Sequence, residues 1–173
     1  MLFRSLALSE SASGQIDLPD DFVVYREYDA LKKASGNGLE PVRGKWPVCL
    51  EGETKIRELN VTFTVAAVDN RWPRLASAAT GHGEESFDAD ALGAGLFIRT
   101  WQEGDRFQPL GMSESKKLQD FFVDEKVPRH QRGRVPLLCA ADGRIAWVVG
   151  HRIAEPFKVT EQARRVLRVR FQG

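Results

Sequence analysis

Short apolar and β-branched runs, each closed by turn residues, constrain this chain more than any other feature. VTFTVAAV at 61–68 and RVLRVRF at 165–171 are runs of this kind, and both are typical of strands rather than long helices. Asp142-Gly143 separates two further apolar runs, which is a strong signal for a β-hairpin. The pattern predicts an α+β fold that is rich in strands and contains a few short helices.

An amphipathic helix is predicted for residues 116–126, where apolar residues recur at i, i+3 and i+4. Ser115 is its predicted N-cap. Pro128 ends this helix and opens a second short one at 128–134. The predicted core includes Leu118, Phe121, Phe122 and Trp147.

The chain is predicted to divide into three parts. Residues 1–17 are an irregular lead-in, residues 18–90 are a β-rich first half, and residues 91–173 are a second domain. A polar, Gly-containing loop at 79–86 marks the boundary, and a turn-rich stretch is expected at 31–45. The alternative, that 18–90 and 91–173 form one continuous domain, stays open at this point.

The net charge of +1 conceals an uneven distribution. Residues 1–98 contain 10 Lys and Arg against 15 Asp and Glu, whereas residues 99–173 contain 15 against 9. A basic half points to a polyanionic partner such as a nucleic acid. Taken alone, the charge is explained more simply by a solvated surface.

The two cysteines, Cys49 and Cys139, lie in apolar stretches and have no metal-binding spacing. They predict buried free thiols in a reducing compartment. No apolar run approaches the roughly 18 residues of a membrane span. The N-terminal residues do not form a convincing signal peptide. We therefore expect a cytoplasmic location and no membrane partner.

Catalytic motifs are not evident in the chain. The Gly/Ser runs SASGQ and ASGNG do not follow a strand and open a helix, which a phosphate-binding loop requires. The three histidines, His82, His130 and His151, are too far apart in sequence to suggest a metal site. The carboxylates around the helix have basic neighbours, so ion pairs are the favoured interpretation. No catalytic residue, metal or cofactor is predicted within this chain.

Between residues 99 and 134, basic side chains cluster in a loop, at a helix start and around the Pro-led helix. Such positions project cations from fixed backbone, as phosphate contacts require. Trp101, Phe107 and Phe121 interleave with these charges, but core packing explains them better than base stacking. Six acidic residues share the window, so a salt-bridged surface is the alternative. The candidate set is Arg99, Arg106, Lys116, Lys117, Lys126, Arg129, Arg132 and Arg134.

The run from 99 to 160 contains a long ordered series of motifs. It includes GDRF, PLGM, KKL with paired aromatics, VPR, VPLL, DGRI, WVVG and FKVT, in that order. The series resembles the C-terminal domain of bacterial tRNA(Ile)-lysidine synthases. Such a length of ordered pattern is far more specific than any single short motif. One departure is Glu114, where many members have Gly, so close approach of a phosphate at that point is in doubt.

The resemblance implies a layered, β-rich domain that contains a β-sandwich of unusual topology. It implies that residues 91–173 bind the substrate tRNA, on the acceptor-stem side, with the candidate basic residues contacting phosphate and sugar. The whole enzyme uses ATP to adenylate the wobble cytidine of an isoleucine tRNA, and lysine then displaces AMP. Its N-terminal catalytic domain, with ATP and Mg²⁺, is expected to lie outside this chain.

Two other functions are weighed against tRNA binding. The chain would otherwise be a protein-interaction or oligomerisation module that docks on the catalytic domain, and a homodimer is left open. Phosphate contacts predict affinity that falls steeply with salt, whereas an apolar docking surface does not. A free-standing enzyme is the weakest candidate, because no complete catalytic arrangement is evident.

Overall fold

Strands connected by short segments make up most of the part of the chain that the computed structural model describes, which is residues 13–18, 22–27, 30–35, 41–70 and 83–173. The strands are β1 (Ser13–Leu18), β2 (Phe22–Glu27), β3 (Ala30–Ser35), β4 (Lys45–Pro47), β5 (Gly52–Ile56), β6 (Val61–Val68), β7 (Glu84–Asp88), β8 (Phe97–Arg99), β9 (Arg106–Phe107), β10 (Lys116–Lys117), β11 (Leu137–Cys139), β12 (Ile145–Val148), β13 (Arg152–Ile153) and β14 (Val166–Gln172). The α-helices are α1 (Ala89–Leu92), α2 (Leu118–Asp124) and α3 (Arg129–Arg132), and 3₁₀ turns span Arg57–Leu59 and Glu155–Phe157.

The first three strands form an antiparallel sheet in the order β1-β2-β3. β1 begins within the stretch that the sequence predicts to be an irregular lead-in, so that prediction is wrong for residues 13–17. The turn-rich stretch predicted from residue 31 is also wrong over β3. Pairing on both sides of β2 explains both differences, since a continuous hydrogen-bonded ladder overrides weak local preference.

Two larger sheets contain most of the remaining strands. One has five strands in the order β13-β12-β11-β8-β4, and the other has four in the order β5-β6-β14-β7. β6 and β14 pair along their length, from Val166 opposite Val68 to Gln172 opposite Thr62. These two strands match the runs that the sequence predicts. The DG hairpin is confirmed as well, because β11 and β12 pair antiparallel around it.

The two larger sheets share one core. Phe63 and Phe87 from the four-stranded sheet belong to the same buried cluster as Leu138 and Trp147 from the five-stranded sheet. The rings of Phe87 and Trp147 lie 6.1 Å apart between centroids. Because the sheets bury their apolar faces against each other, the domain is a layered sandwich. The predicted α+β, β-rich class with a few short helices is confirmed.

Each larger sheet combines strands from before and after residue 90. β4 pairs with β8, and β6 and β7 both pair with β14. The polar loop expected at 79–86 is wrong from residue 84 onward, where β7 begins; residues 79–82 lie outside the described part. The proposed division of the chain into 1–17, 18–90 and 91–173 stays a prediction.

The predicted helix around residue 120 is confirmed but is shorter than expected. α2 begins after Lys117, which makes no side-chain cap hydrogen bond, and the predicted cap at Ser115 is wrong. The lysine pair forms β10 instead and pairs with β9, which moves the helix start to Leu118. The four predicted core residues, Leu118, Phe121, Phe122 and Trp147, are all buried.

Candidate nucleic-acid interface

A concave groove lies where the 41–44 segment meets the loop after β8 and the helices α2 and α3. Its volume is about 870 Å³. We call it the arginine groove. Its charged and larger polar or aromatic lining residues are Arg43, Trp101, Gln102, Glu103, Gln119, Phe122, Arg129 and Arg132.

One wall of the arginine groove is attached at two points. The backbone N–H of Val42 donates to the carbonyl of Gly133, with 3.2 Å between the atoms. The Thr100 hydroxyl donates to the carbonyl of Val42. A Cβ at Gly133 would come within 2.9 Å of Pro41 Cβ, so the missing side chain at this glycine lets the wall approach α3. These contacts hold the 41–44 segment in place, although it precedes β4 and is not part of a strand.

The loop that forms the second wall is held by an ion pair between Arg99 and Asp105. The two guanidinium nitrogens donate to the two carboxylate oxygens at 2.7 and 2.8 Å, and both side chains are 13% exposed. Asp105 also accepts from the backbone N–H of Gln102 at 2.8 Å. Burial by itself would lower the pKa of Arg99, but hydrogen bonds and charge interactions with Asp105 and Cys139 outweigh it and raise that pKa above its ordinary value. Arg99 therefore shapes the loop that carries Trp101 and Gln102.

Two arginines from α3 lie side by side in the groove. Pro128 precedes this helix, and Arg129 and Arg132 stand at i, i+3 spacing on it. The Nε of Arg132 donates to the carbonyl of Val127 at 3.0 Å, which orients its guanidinium. Burial, and then the charge of Arg129, lower the pKa of Arg132. The two cations repel each other, and an anion bound between them would relieve this repulsion.

The arginines of the groove have no carboxylate partner within the described ranges. Arg43, Arg129 and Arg132 are absent from the ion pairs that these residues form. Glu103 is the acidic residue in the described lining. The groove accordingly has a positive charge that the described part of the protein does not neutralise.

The structure brings together only part of the basic set predicted from sequence. Arg129 and Arg132 share the groove, whereas Arg99 is bound to Asp105. Lys116 is paired with Asp124, a carboxylate two turns along α2. Arg106 donates to the carbonyl of Ser115 at 2.8 Å.

The other predicted cations are dispersed. Lys117 is exposed beside Lys116 on β10. Lys126 is exposed after α2 and adopts a left-handed backbone with φ of 55°. Arg134 donates to the carbonyl of Glu58 at 3.1 Å and thus faces the 3₁₀ turn. The set is therefore not one continuous surface.

Sequence reasoning missed Arg43 and Gln119 as groove residues and assigned Trp101 to the core. Trp101 does pack against the core, but it is half-buried and also lines the groove. Arg43 lies 86 residues before Arg129 in the chain and in a different predicted domain. No local pattern links two residues at that separation. The β4–β8 pairing and the hydrogen bonds of Val42 to Gly133 and Thr100 bring them together.

A second concave region lies along the four-stranded sheet and α1. Its volume is about 860 Å³. We call it the paired hollow, because Arg165 is bonded to Asp90 at 2.6 Å and Arg168 lies 3.5 Å from Glu84. Its charged lining residues are Glu51, Asp69, Asp90, Arg164, Arg165 and Arg168.

Other predicted features give mixed outcomes. Both cysteines are free, and Cys139 is buried, where burial raises the pKa of its thiol to about 11. The buried-thiol prediction is wrong for Cys49, which is exposed, because the neighbouring Val48 occupies the buried position after β4. His151 makes an edge contact with the ring of Phe121, and His82 lies outside the described residues.

Across the described ranges, no group of three or more His, Cys, Asp or Glu residues is arranged to bind a metal ion. No helix found in those ranges has the length and apolar character needed to cross a membrane.

Comparison with known proteins assigns the second half of the chain to a family. Residues 96–171 match the family model of the TilS substrate C-terminal domain. These residues belong to that family. The matched range includes the loop at Asp105 and the helices α2 and α3, and hence most of the arginine groove.

Relatives extend the likeness to TilS over nearly the whole chain. A tRNA(Ile)-lysidine synthase of Dehalococcoides mccartyi is 53% identical over 95% of this chain and 35% of its own length. Another, of Caldanaerobacter subterraneus, is 34% identical over 95% of this chain and 34% of its own. The chain thus spans about a third of these relatives and matches only their C-terminal part.

A crystal structure described as the TilS C-terminal domain has the same fold. Its TM-score is 0.65 at 23% identity, and the likeness covers 76% of this chain and 98% of that one. At this identity the structural likeness establishes the fold alone.

Proposed function

We propose that this chain is the tRNA-binding part of a tRNA(Ile)-lysidine synthase. The observation that carries the proposal is the arginine groove, in which Arg43, Arg129 and Arg132 converge without a described carboxylate partner. Unpaired cations on a fixed backbone are the groups that bind RNA phosphates. The relatives' name supports an isoleucine tRNA as the polyanion.

The chemistry of the whole enzyme is proposed to occur outside this chain. Since the relatives are about three times as long, an ATP- and Mg²⁺-using catalytic domain would lie in the part that they have in addition. That domain would join lysine to the wobble cytidine, while this chain holds and orients the tRNA on its acceptor-stem side. The fragment itself is proposed to have no cofactor and no catalytic residue. A cytoplasmic location and a homodimer stay predictions.

Docking on the catalytic domain through an apolar surface is the competing function. Such a surface requires a contiguous exposed apolar patch. Within the described residues, the exposed large hydrophobic side chains are Met112 and Val123, which are 40% and 57% exposed. Two isolated side chains favour a polar partner over an apolar one.

The test is a titration of the chain with isoleucine tRNA at several salt concentrations. Removing one cation that binds a phosphate should reduce the log–log salt slope by about 0.7 to 0.9. We expect Arg129→Gln/Arg132→Gln to weaken binding by about 30-fold and to reduce the slope. The matched control Arg165→Gln/Arg168→Gln removes the same charge from the paired hollow and should change affinity less than about threefold. Salt-independent binding, or equal losses of affinity in both variants, would refute the proposal.

A further inference from the structure

We propose that the arginine groove binds one unpaired nucleotide of RNA, with its phosphate between Arg129 and Arg132 and its base against Trp101. This inference rests on the proposed function, because it assumes that the partner is RNA. It adds which kind of RNA element enters the groove and which side chains contact it.

The shape of the groove favours an unpaired nucleotide over a duplex. A volume of about 870 Å³ lies within the range of pockets that enclose a single small ligand. A double helix presents its phosphates on a convex surface and can contact only the rim of a concavity of this size. An unpaired nucleotide can turn its base and phosphate inward together, as single-stranded RNA does in other binding sites.

The phosphate position follows from the two α3 arginines. They approach each other closely enough for Arg129 to disfavour the charge on Arg132. A phosphate placed between them would replace that repulsion with charge-assisted hydrogen bonds to both guanidinium groups. Arg43 lines the wall formed by the 41–44 segment and adds a third cation, while Glu103 is the acid in the lining. With three arginines and one carboxylate, the described lining has a net charge of +2.

The base position follows from Trp101. This ring is half-buried, so one part packs against the core while another part faces the groove. A partly exposed aromatic face beside cations is the platform on which unpaired bases stack, and it accepts any of the four bases. Gln102 and Gln119 also line the groove, and their amides offer both donors and acceptors to a base edge.

The walls of the groove are already in place for a ligand. The Arg99–Asp105 pair fixes the loop that carries Trp101, and Arg132 is oriented by the carbonyl of Val127. The hydrogen bond from Val42 to Gly133 holds the 41–44 wall. Because these contacts are made within the protein itself, binding would cost little ordering of the protein.

The experiment compares two RNA hairpins of identical stem, one blunt and one with a short single-stranded 3′ extension. Binding of each to the 173-residue chain is measured by fluorescence anisotropy. We expect the extension to tighten binding by about 10-fold, as stacking of one base would. Trp101→Ala should remove most of this gain, whereas Trp101→Phe should retain it because a ring remains. Arg129→Gln/Arg132→Gln should also remove the gain, and thermal unfolding would verify that each variant is folded.

The outcomes separate this inference from the proposed function. If the chain binds both hairpins equally, the nucleotide site is refuted while RNA binding stands. A gain that survives in Trp101→Ala and in Arg129→Gln/Arg132→Gln would place the extension elsewhere and also refute it. If neither hairpin nor isoleucine tRNA binds, the proposed function itself fails. It also fails if the groove binds a protein instead of RNA. The matched control Lys55→Gln/Arg164→Gln, two exposed cations outside the groove, should retain the full gain.

Discussion

The arginine groove and the paired hollow have nearly equal volumes, about 870 and 860 Å³, and each is lined by three arginines. They differ in their acids. The groove has Glu103 alone in its described lining, whereas the hollow has Glu51, Asp69 and Asp90. The pKa of Arg165 in the hollow is raised by its hydrogen bond and charge interaction with Asp90, while the pKa of Arg132 in the groove is lowered. The two regions are alike in size and arginine count, and their acidic neighbours distinguish them.

The largest effect is expected at the ion pair that supports the groove. Arg99→Ala leaves Asp105 partly buried and without its cation, which should lower the free energy of unfolding by about 3 kcal/mol. Urea denaturation measures this. The matched control Arg144→Ala breaks the exposed pair with Asp142 and should cost less than about 1 kcal/mol. Similar losses of stability in both variants would show that the Arg99 pair is an ordinary surface contact.

A buried carboxyl group without a described hydrogen-bond partner at one of its oxygens lies in the four-stranded sheet. Glu85 on β7 is 9% exposed, its Oε2 has no hydrogen-bond partner among the described residues, and burial raises its pKa from 4.5 to about 7. The folded protein therefore holds this proton more tightly than the unfolded chain does. Stability contributed by the protonated form is present below about pH 4.5 and is lost as the pH rises toward about 7.

Glu85→Gln should remove that part of the pH dependence. Above pH 7 the variant should be more stable than the parent by roughly 1–3 kcal/mol, because no carboxylate is left to desolvate. Denaturation between pH 5 and pH 8 measures the difference, with the exposed Glu51→Gln as control. A parent whose stability does not fall across this range would contradict the prediction.

A smaller effect is expected from filling the space between the 41–44 wall and the end of α3. Gly133→Ala places a methyl group about 2.9 Å from Pro41 Cβ, so the wall must move. We expect a loss of about 1–2 kcal/mol in stability together with weaker tRNA binding. Thermal unfolding and anisotropy measure the two quantities. If the variant is destabilised but its tRNA affinity is unchanged, the position of the 41–44 wall does not affect tRNA binding.

The smallest effect is a gain in the paired hollow. Asp90→Asn/Glu84→Gln frees Arg165, Arg168 and Arg170 from their carboxylates. If unpaired arginines are what distinguishes the groove, this variant should bind tRNA about threefold more tightly at low salt, with a steeper salt slope. Titration at two salt concentrations measures both. If neither the affinity nor the salt slope changes, unpaired arginines alone are not sufficient, and the shape of the arginine groove also contributes to tRNA binding.

Much of the fold could be predicted from the chain's local patterns. β6, β14, α3 and the hairpin at Asp142-Gly143 match their predicted places, because each is encoded by adjacent residues. Of the elements that were missed, β7 depends on pairing with the distant β14, while β1 and β3 have weak local strand preference and are stabilised by pairing with β2 between them. The predicted cap at Ser115 was wrong because β10 pairs with β9 just before the helix.

The sequence by itself determined the family, the strand-rich class and the core residues around Trp147, since periodicity and motif order are local or sequential properties. Only the tertiary structure decided which cations remain available. Arg99 and Lys116 are held by carboxylates, and Arg43 joins Arg129 across 86 residues of chain. The physical reason is that a charge is neutralised by whatever lies within a few ångströms in space, and that distance is not recorded in the order of residues.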